Sequence, residues 1–429
     1  MDPLLDTSAK KIAAAIRARD VSSTEVTEAF LERIASINPD INAAVQVMTE
    51  RAIAEAQQAD EQLVRGIDFG PLHGVPFTAK DIFDTEGVLT AAGLPERSGH
   101  TPDQDAVAVA RLRAAGAILI AKTNCPPAGG GGVTDNEVYG RTNNPYDLDR
   151  TPGGSSGGEA ALQGAGGSPI GLGSDSGGSI RLPAHYCGVA GLKPTSGRVP
   201  NTGAYELPGG LTDTRTQVGP LSRFVEDLEL ALSIIAGPDW HDSGVIPMPL
   251  GVMDDVSIGE LRAAYYEDDG CVTPTPETKD AVKSAALSLK DAGASVVESL
   301  PPGLEEAGPI TQGYWGMTKI SGAEVEQLYL RWDRFRSRML AFMRDHDVII
   351  CPVDHHPAPH HDDPDEHRFA YTLAYSLTGW PCVVVRAGTS MEGMPIGVQI
   401  VARPWREDVA LAVARHIETA MGGWQPPGA

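Results

Sequence analysis

Two stretches decide the reading of this chain: Gly153-Gly154-Ser155-Ser156-Gly157-Gly158, and then Gly173-Ser174-Asp175-Ser176-Gly177-Gly178-Ser179-Ile180-Arg181. They lie in a segment, Gly129 to Gly197, that holds 19 of the 48 glycines in 429 residues. An isolated glycine-serine tract is ordinarily a flexible linker. Here Ile170, Leu172 and Ile180 interrupt the tract with apolar anchors that a solvated linker lacks. Two serines in glycine-rich turns, with a lysine closing the upstream run Gly74-Val75-Pro76-Phe77-Thr78-Ala79-Lys80-Asp81, suggest serine/lysine hydrolysis. A serine hydroxyl is a poor nucleophile until a neighbouring base takes its proton. Lysine can be that base only when neutral, and burial lowers its pKa. A second serine can relay the proton. Successive N–H groups at Ser176-Gly177-Gly178-Ser179 can point together at a developing oxyanion. On the residues alone, Lys80 and Lys122 are equal candidates for the base, because each follows an apolar run.

Outward from this block the texture is α/β. Residues 7–64 read as helices, broken at Asn38-Pro39 and resumed over 43–64. Ala106–Ala115 reads as a helix, and Ala117-Ile118-Leu119-Ile120-Ala121 as a strand buried on both faces. Residues 199–220 read as loop, with Tyr205, Leu207 and Pro208-Gly209-Gly210 in a candidate lid over 204–215. Further helices are expected at 224–235, 276–292, 322–344 and 408–421, and strands at 261–266, 294–297, 348–352, 382–386 and 395–401. No linker divides the chain firmly. It is read as one domain: a helical wrap over 1–65, a core over 70–225, a variable insertion near 240–340, and closing strands and helix over 345–429.

The block resembles the amidase signature family of amide hydrolases. The match runs from Gly153 to Ala161, from Gly173 to Ala184, and through Cys187-Gly188-Val189-Ala190-Gly191-Leu192-Lys193-Pro194-Thr195 to Gly197-Arg198. Gly74–Asp81 and Lys122-Thr123-Asn124 match further family segments, as do Gln217-Val218-Gly219-Pro220 and Pro395-Ile396-Gly397-Val398-Gln399. The resemblance implies the family's α/β fold, a large mixed sheet with helices on both faces. It also implies a serine–cis-serine–lysine triad: Ser179 as nucleophile, Ser155 as bridging serine after a cis Gly154–Ser155 peptide, and Lys80 as general base. Ser176, Gly177, Gly178 and Ser179 would supply the oxyanion N–H donors, with Asp175 and Arg181 as supporting groups. No cofactor is implied, and a homodimer is allowed. One departure stands out. Where relatives commonly have a glutamate after the asparagine and proline, this chain reads Asn124-Cys125-Pro126-Pro127-Ala128-Gly129-Gly130-Gly131-Gly132. Gly129 and Gly130 are expected to line a roomy acyl site.

Composition excludes other classes. Lys and Arg total 34 against 57 Asp and Glu, a net charge of −23 without any basic stretch, which argues against a nucleic-acid partner. No apolar run reaches the roughly 18–20 residues of a membrane span, and residues 1–15 lack a leader pattern. Cys125, Cys187, Cys271, Cys351 and Cys382 are scattered, so reduced thiols in a cytoplasm are expected, with neither disulfide nor metal. His355-His356, His360-His361, Asp362-Asp363 and His367 alternate with prolines and read as a solvated loop. The expected activity is amide cleavage, extending to carbamates and activated esters, on a small-molecule substrate. Three other readings compete: a glutaminase subunit of an amidotransferase, a binding protein on the same scaffold, and a G-x-S-x-G hydrolase elbow at Gly153–Gly157. The polar, proline-ended segment before that elbow argues against the last.

Overall fold

Pro76–Lys80, Ile118–Thr123 and Ile170–Asp175 are buried at every residue. Strands without polar alternation belong at the centre of a sheet covered on both faces. In the computed structural model, which describes residues 4–205, 209–210, 213–363, 365 and 367–428, they sit side by side within one sheet. Its strands are β1 (Ala44–Val47), β2 (Pro76–Lys80), β3 (Ile118–Thr123), β4 (Ile170–Asp175), β5 (Ala190–Lys193), β6 (Gln217–Ser222), β7 (Arg262–Tyr265), β8 (Ser295–Glu298), β9 (Val348–Pro352), β10 (Cys382–Thr389) and β11 (Pro395–Ala402). The spatial order is β1-β3-β2-β4-β6-β5-β10-β11-β9-β7-β8. β2 runs parallel to β3 and β4, while β4–β6, β5–β6, β5–β10 and β10–β11 are antiparallel. The sheet is therefore mixed, and the fold is α/β. Helices Pro276–Asp291 and Glu407–Met421 pack on β10 and β11, and the short helix Arg181–Tyr186 crosses the same pair. No helix among the described residues is long and apolar enough to cross a membrane.

Three local expectations are corrected. Asn38-Pro39 does not end its helix, which runs Ser23–Ile41 with Pro39 inside. The Asn38 side chain accepts from the N–H groups of Ala43 and Ala44, both at 2.8 Å, so the chain leaves the last turn already capped. That exit feeds β1, a strand where a helix was expected to resume; the helix itself starts at Thr49. The third correction is the end of the 199–220 segment, read as loop: Gln217–Ser222 is β6 and pairs with both β4 and β5. Its glycine allows that close pairing: a Cβ at Gly219 would lie 2.0 Å from the Leu192 carbonyl oxygen. In the 204–215 loop, Leu207 and Pro208 lie outside the described residues, while Tyr205 donates its N–H to Ile82 and stacks under Arg97 at 4.2 Å.

One buried carboxyl ties the central strands to the glycine block. Glu159, in helix Gly157–Gly164, accepts hydrogen bonds from Thr78 of β2, Thr123 of β3 (2.8 Å) and Gln163 (3.2 Å). Burial pushes its carboxyl up to about 7, against those hydrogen bonds. A folded-state pKa above the unfolded value means a stability contribution that is complete at low pH and lost as pH rises through the folded pKa. Glu159→Gln cannot ionise. Its thermal midpoint, relative to wild type, is expected to rise between about pH 5 and pH 8. Scanning calorimetry at both pH values checks this; a constant difference would show that Glu159 does not titrate in that window.

Candidate active site

Lys80 closes β2 and is fully buried. Its Nζ lies 2.6 Å from the Ser155 hydroxyl and 3.0 Å from the Ser174 hydroxyl. Burial pushes its pKa down to about 8, while the nearby Cys125 and Asp175 pull it upward. Lys122, its equal in the sequence, is placed differently. Its Nζ is 3.3 Å from Asp81, with which it forms a buried ion pair, and it donates to the Phe83 carbonyl (2.8 Å) and Thr90 (3.0 Å). The two lysines are thus separated by their partners. One is held as an ion-paired cation, and the other faces two hydroxyls.

The Gly154–Ser155 peptide is cis. The turn is wedged in place, since a Cβ at Gly154 would fall 2.8 Å from the Gly131 carbonyl oxygen. The N–H of Ser156 donates to the Ser179 carbonyl at 3.1 Å, which brings the two glycine-rich turns together. Ser179 is 8% exposed, and its hydroxyl has no hydrogen-bond partner among the described residues. The structure thus joins Lys80 to Ser155 directly and joins the Ser155 turn to Ser179 through backbone.

Asp175 organises the Ser179 turn. Burial opposes its charge, but the Arg181 guanidinium holds its carboxyl below the usual range. It accepts from Arg181 Nη2 (2.9 Å) and Nε (3.0 Å) and from the N–H groups of Gly178 (2.8 Å), Ile180 (3.1 Å) and Arg181 (3.3 Å). This departs from the expectation of four free donors. A buried carboxylate needs donors, and it takes the Gly178 N–H. Those of Ser176, Gly177 and Ser179 have no protein acceptor among the described residues.

Gly129 covers the lysine: a Cβ there would lie 3.5 Å from Lys80 Nζ. Gly130 is extended (φ −98°), and its Cβ would meet only the Pro127 carbonyl oxygen, at 3.6 Å. Sequence reasoning assigned no role to several neighbours. Ser174, inside the motif, shares Lys80. Trp315 and Leu373 stand 3.7 and 3.5 Å from where a Gly177 Cβ would be, and Arg215 stacks on Tyr314 at 4.0 Å and on Trp315 at 5.6 Å. Ser174 lies two residues beyond Leu172, the partner of Ala79 in the parallel β2–β4 pair, and that register is set by the fold. The aromatic wall comes from helix Ala307–Trp315, far away in sequence and without any motif.

Comparison with known proteins shows the family. A family model described as amidase matches residues 25–323 and 316–411. An acylamidase of Rhodococcus erythropolis is 32% identical, over 96% of this chain and 94% of its own. A glutamyl-tRNA(Gln) amidotransferase component of a Roseiflexus species is 33% identical, over 92% of each chain. A solved fatty acid amide hydrolase superposes with a TM-score of 0.89 at 26% identity, covering 98% of this chain and 87% of that one. With family-wide sequence agreement and a shared fold over nearly the whole length, this chain belongs to the amidase family of amide hydrolases, the amidase signature group.

Proposed function

We propose that this protein is a serine hydrolase that cleaves the C–N bond of neutral amides through an acyl-enzyme on Ser179. The observation that carries the reading is the buried Lys80 amine, 2.6 Å from Ser155, on a turn bonded to the backbone of Ser179. Neutral Lys80 takes the Ser155 proton as Ser155 takes that of Ser179. The Ser179 oxygen attacks the carbonyl, and the N–H groups of Gly177 and Ser179 receive the oxyanion, with Ser176 beside them. The proton returns to the leaving nitrogen, the amine departs, and water releases the acid by the same relay. Carbamates and activated esters pass through the same tetrahedral oxyanion, so we include them as substrates. The test is fluorophosphonate labelling mapped by mass spectrometry. An adduct on Ser179 that disappears in Lys80→Ala supports the assignment; an adduct on Ser155 points to the elbow reading instead.

The apolar wall of Trp315 and Leu373, together with the bare backbone at Gly129 and Gly130, favours a bulky uncharged acyl or aryl group over glutamine. A stand-alone hydrolase is therefore favoured over a component of an amidotransferase. Gly130→Val needs no unusual backbone, so it probes the site without strain. Its expected effect is a loss of roughly tenfold in kcat/KM for a long-chain anilide with little change for acetanilide. Equal losses on both substrates would place Gly130 away from the acyl group.

A further inference from the structure

We infer that Asp354, His355, His356 and Asp365 form a binding site for one divalent transition-metal cation of the zinc class. One ligand atom from each residue lies within 4.8 Å of the others. The segment reads in sequence as a solvated proline-rich loop, yet Asp354 is fully buried and the Asp365 side chain is 3% exposed. The histidine tautomers follow from their partners. His356 Nδ1 is 2.8 Å from the Pro357 carbonyl oxygen, which can only accept, so Nδ1 carries the proton. His355 Nδ1 is 2.9 Å from the Asp354 carboxylate and likewise donates. Both Nε2 atoms are then left for a cation or a second proton, and both face Asp365, at 3.8 Å for His355 and 3.5 Å for His356. Asp365 Oδ2 is buried and has no hydrogen-bond partner among the described residues. Arg368 Nε lies 3.7 Å from it but donates to the carbonyl of Asp365 instead.

Two imidazole nitrogens and a carboxylate oxygen converging in a buried place need a metal cation or a proton between them. Zinc suits this donor set of imidazole and carboxylate. Histidines that donate their other ring N–H to a carboxylate or carbonyl are the usual arrangement around such ions. Ligand atoms around tetrahedral zinc stand roughly 3.4 Å apart, so each Nε2 and its Asp365 oxygen, 3.8 and 3.5 Å apart, need draw in only modestly, while Asp354 orients His355 through its Nδ1–H. The rest of the cluster is braced. Tyr186 donates to Asp354, and His185, whose Nδ1 accepts from Gly397 at 2.7 Å, donates from Nε2 to the His356 carbonyl at 3.0 Å. Both belong to the helix Arg181–Tyr186 that follows Ser179. The loop also leads into Phe369 and Thr372, which pack against Gly178. The cation is thus a structural brace for the loop and takes no part in the acyl chemistry.

The test uses untagged protein carrying Cys271→Ser, which removes the exposed thiol. After treatment with a chelator and its removal, zinc is titrated by calorimetry and cobalt by visible absorption. The expected result is one equivalent of zinc, a raised thermal midpoint and the intense cobalt absorption of a tetrahedral site. His356→Ala and Asp365→Asn should each weaken binding by more than about 100-fold. Their metal-free unfolding transitions, read in the same scan, show that both variants fold. Failure of the parent to bind one equivalent, or undiminished binding in both variants, overturns the site. Neither outcome bears on Ser179, because no arm of the test reads turnover.

Discussion

Ser179→Ala lowers kcat by roughly ten-thousand- to a million-fold while substrate still binds. That is the scale on which a serine hydrolase loses its covalent step and keeps only its binding and oxyanion groups. The Ser179 hydroxyl is free of partners among the described residues, so its removal breaks no internal hydrogen bond and the fold should stay intact. Ser155→Ala should cost less, roughly a hundred- to ten-thousand-fold, because it removes a proton relay and leaves the nucleophile. Steady-state and single-turnover kinetics on one anilide, with circular dichroism of each variant, check both numbers. Retention of a tenth of wild-type turnover in Ser179→Ala would reject the acyl-enzyme outright.

Lys80→Ala should lower kcat/KM by roughly a hundred- to ten-thousand-fold and erase the pH dependence that Lys80 imposes. The sign follows from the role. The base works only when neutral, and burial brings its pKa down to about 8, so wild-type kcat/KM should rise with pH and level off above that value. The same group affects stability. Its folded pKa lies below the unfolded 10.5, so the native state binds fewer protons in that window and stability rises with pH there. Lys80→Met should lose both dependences together. A rising limb near pH 8 that survives in Lys80→Ala would assign the titration to another group.

Local sequence was enough where a short stretch of backbone carries a strong pattern of its own. The all-apolar run Ala117–Ala121 marked a strand buried on both faces, because such a strand has no polar side to show. The serine and glycine turns at 153–158 and 173–181 marked the place to look for chemistry, because residue type and spacing there already limit what the backbone can do. Contacts between distant segments were not readable in this way. β1 and β6 were missed because a short strand gains its stability from pairing partners that its own residues do not name. Lys80 and Lys122 look alike in sequence and differ only in what folding packs beside them, two hydroxyls for one and a carboxylate for the other. Asp365 is likewise separated from His355 and His356 by a stretch with no periodicity, and tertiary packing alone aims its carboxylate at their ring nitrogens. A side chain's charge and reactivity depend on burial and on its neighbours, and for the two lysines both are set by parts of the chain far away in sequence.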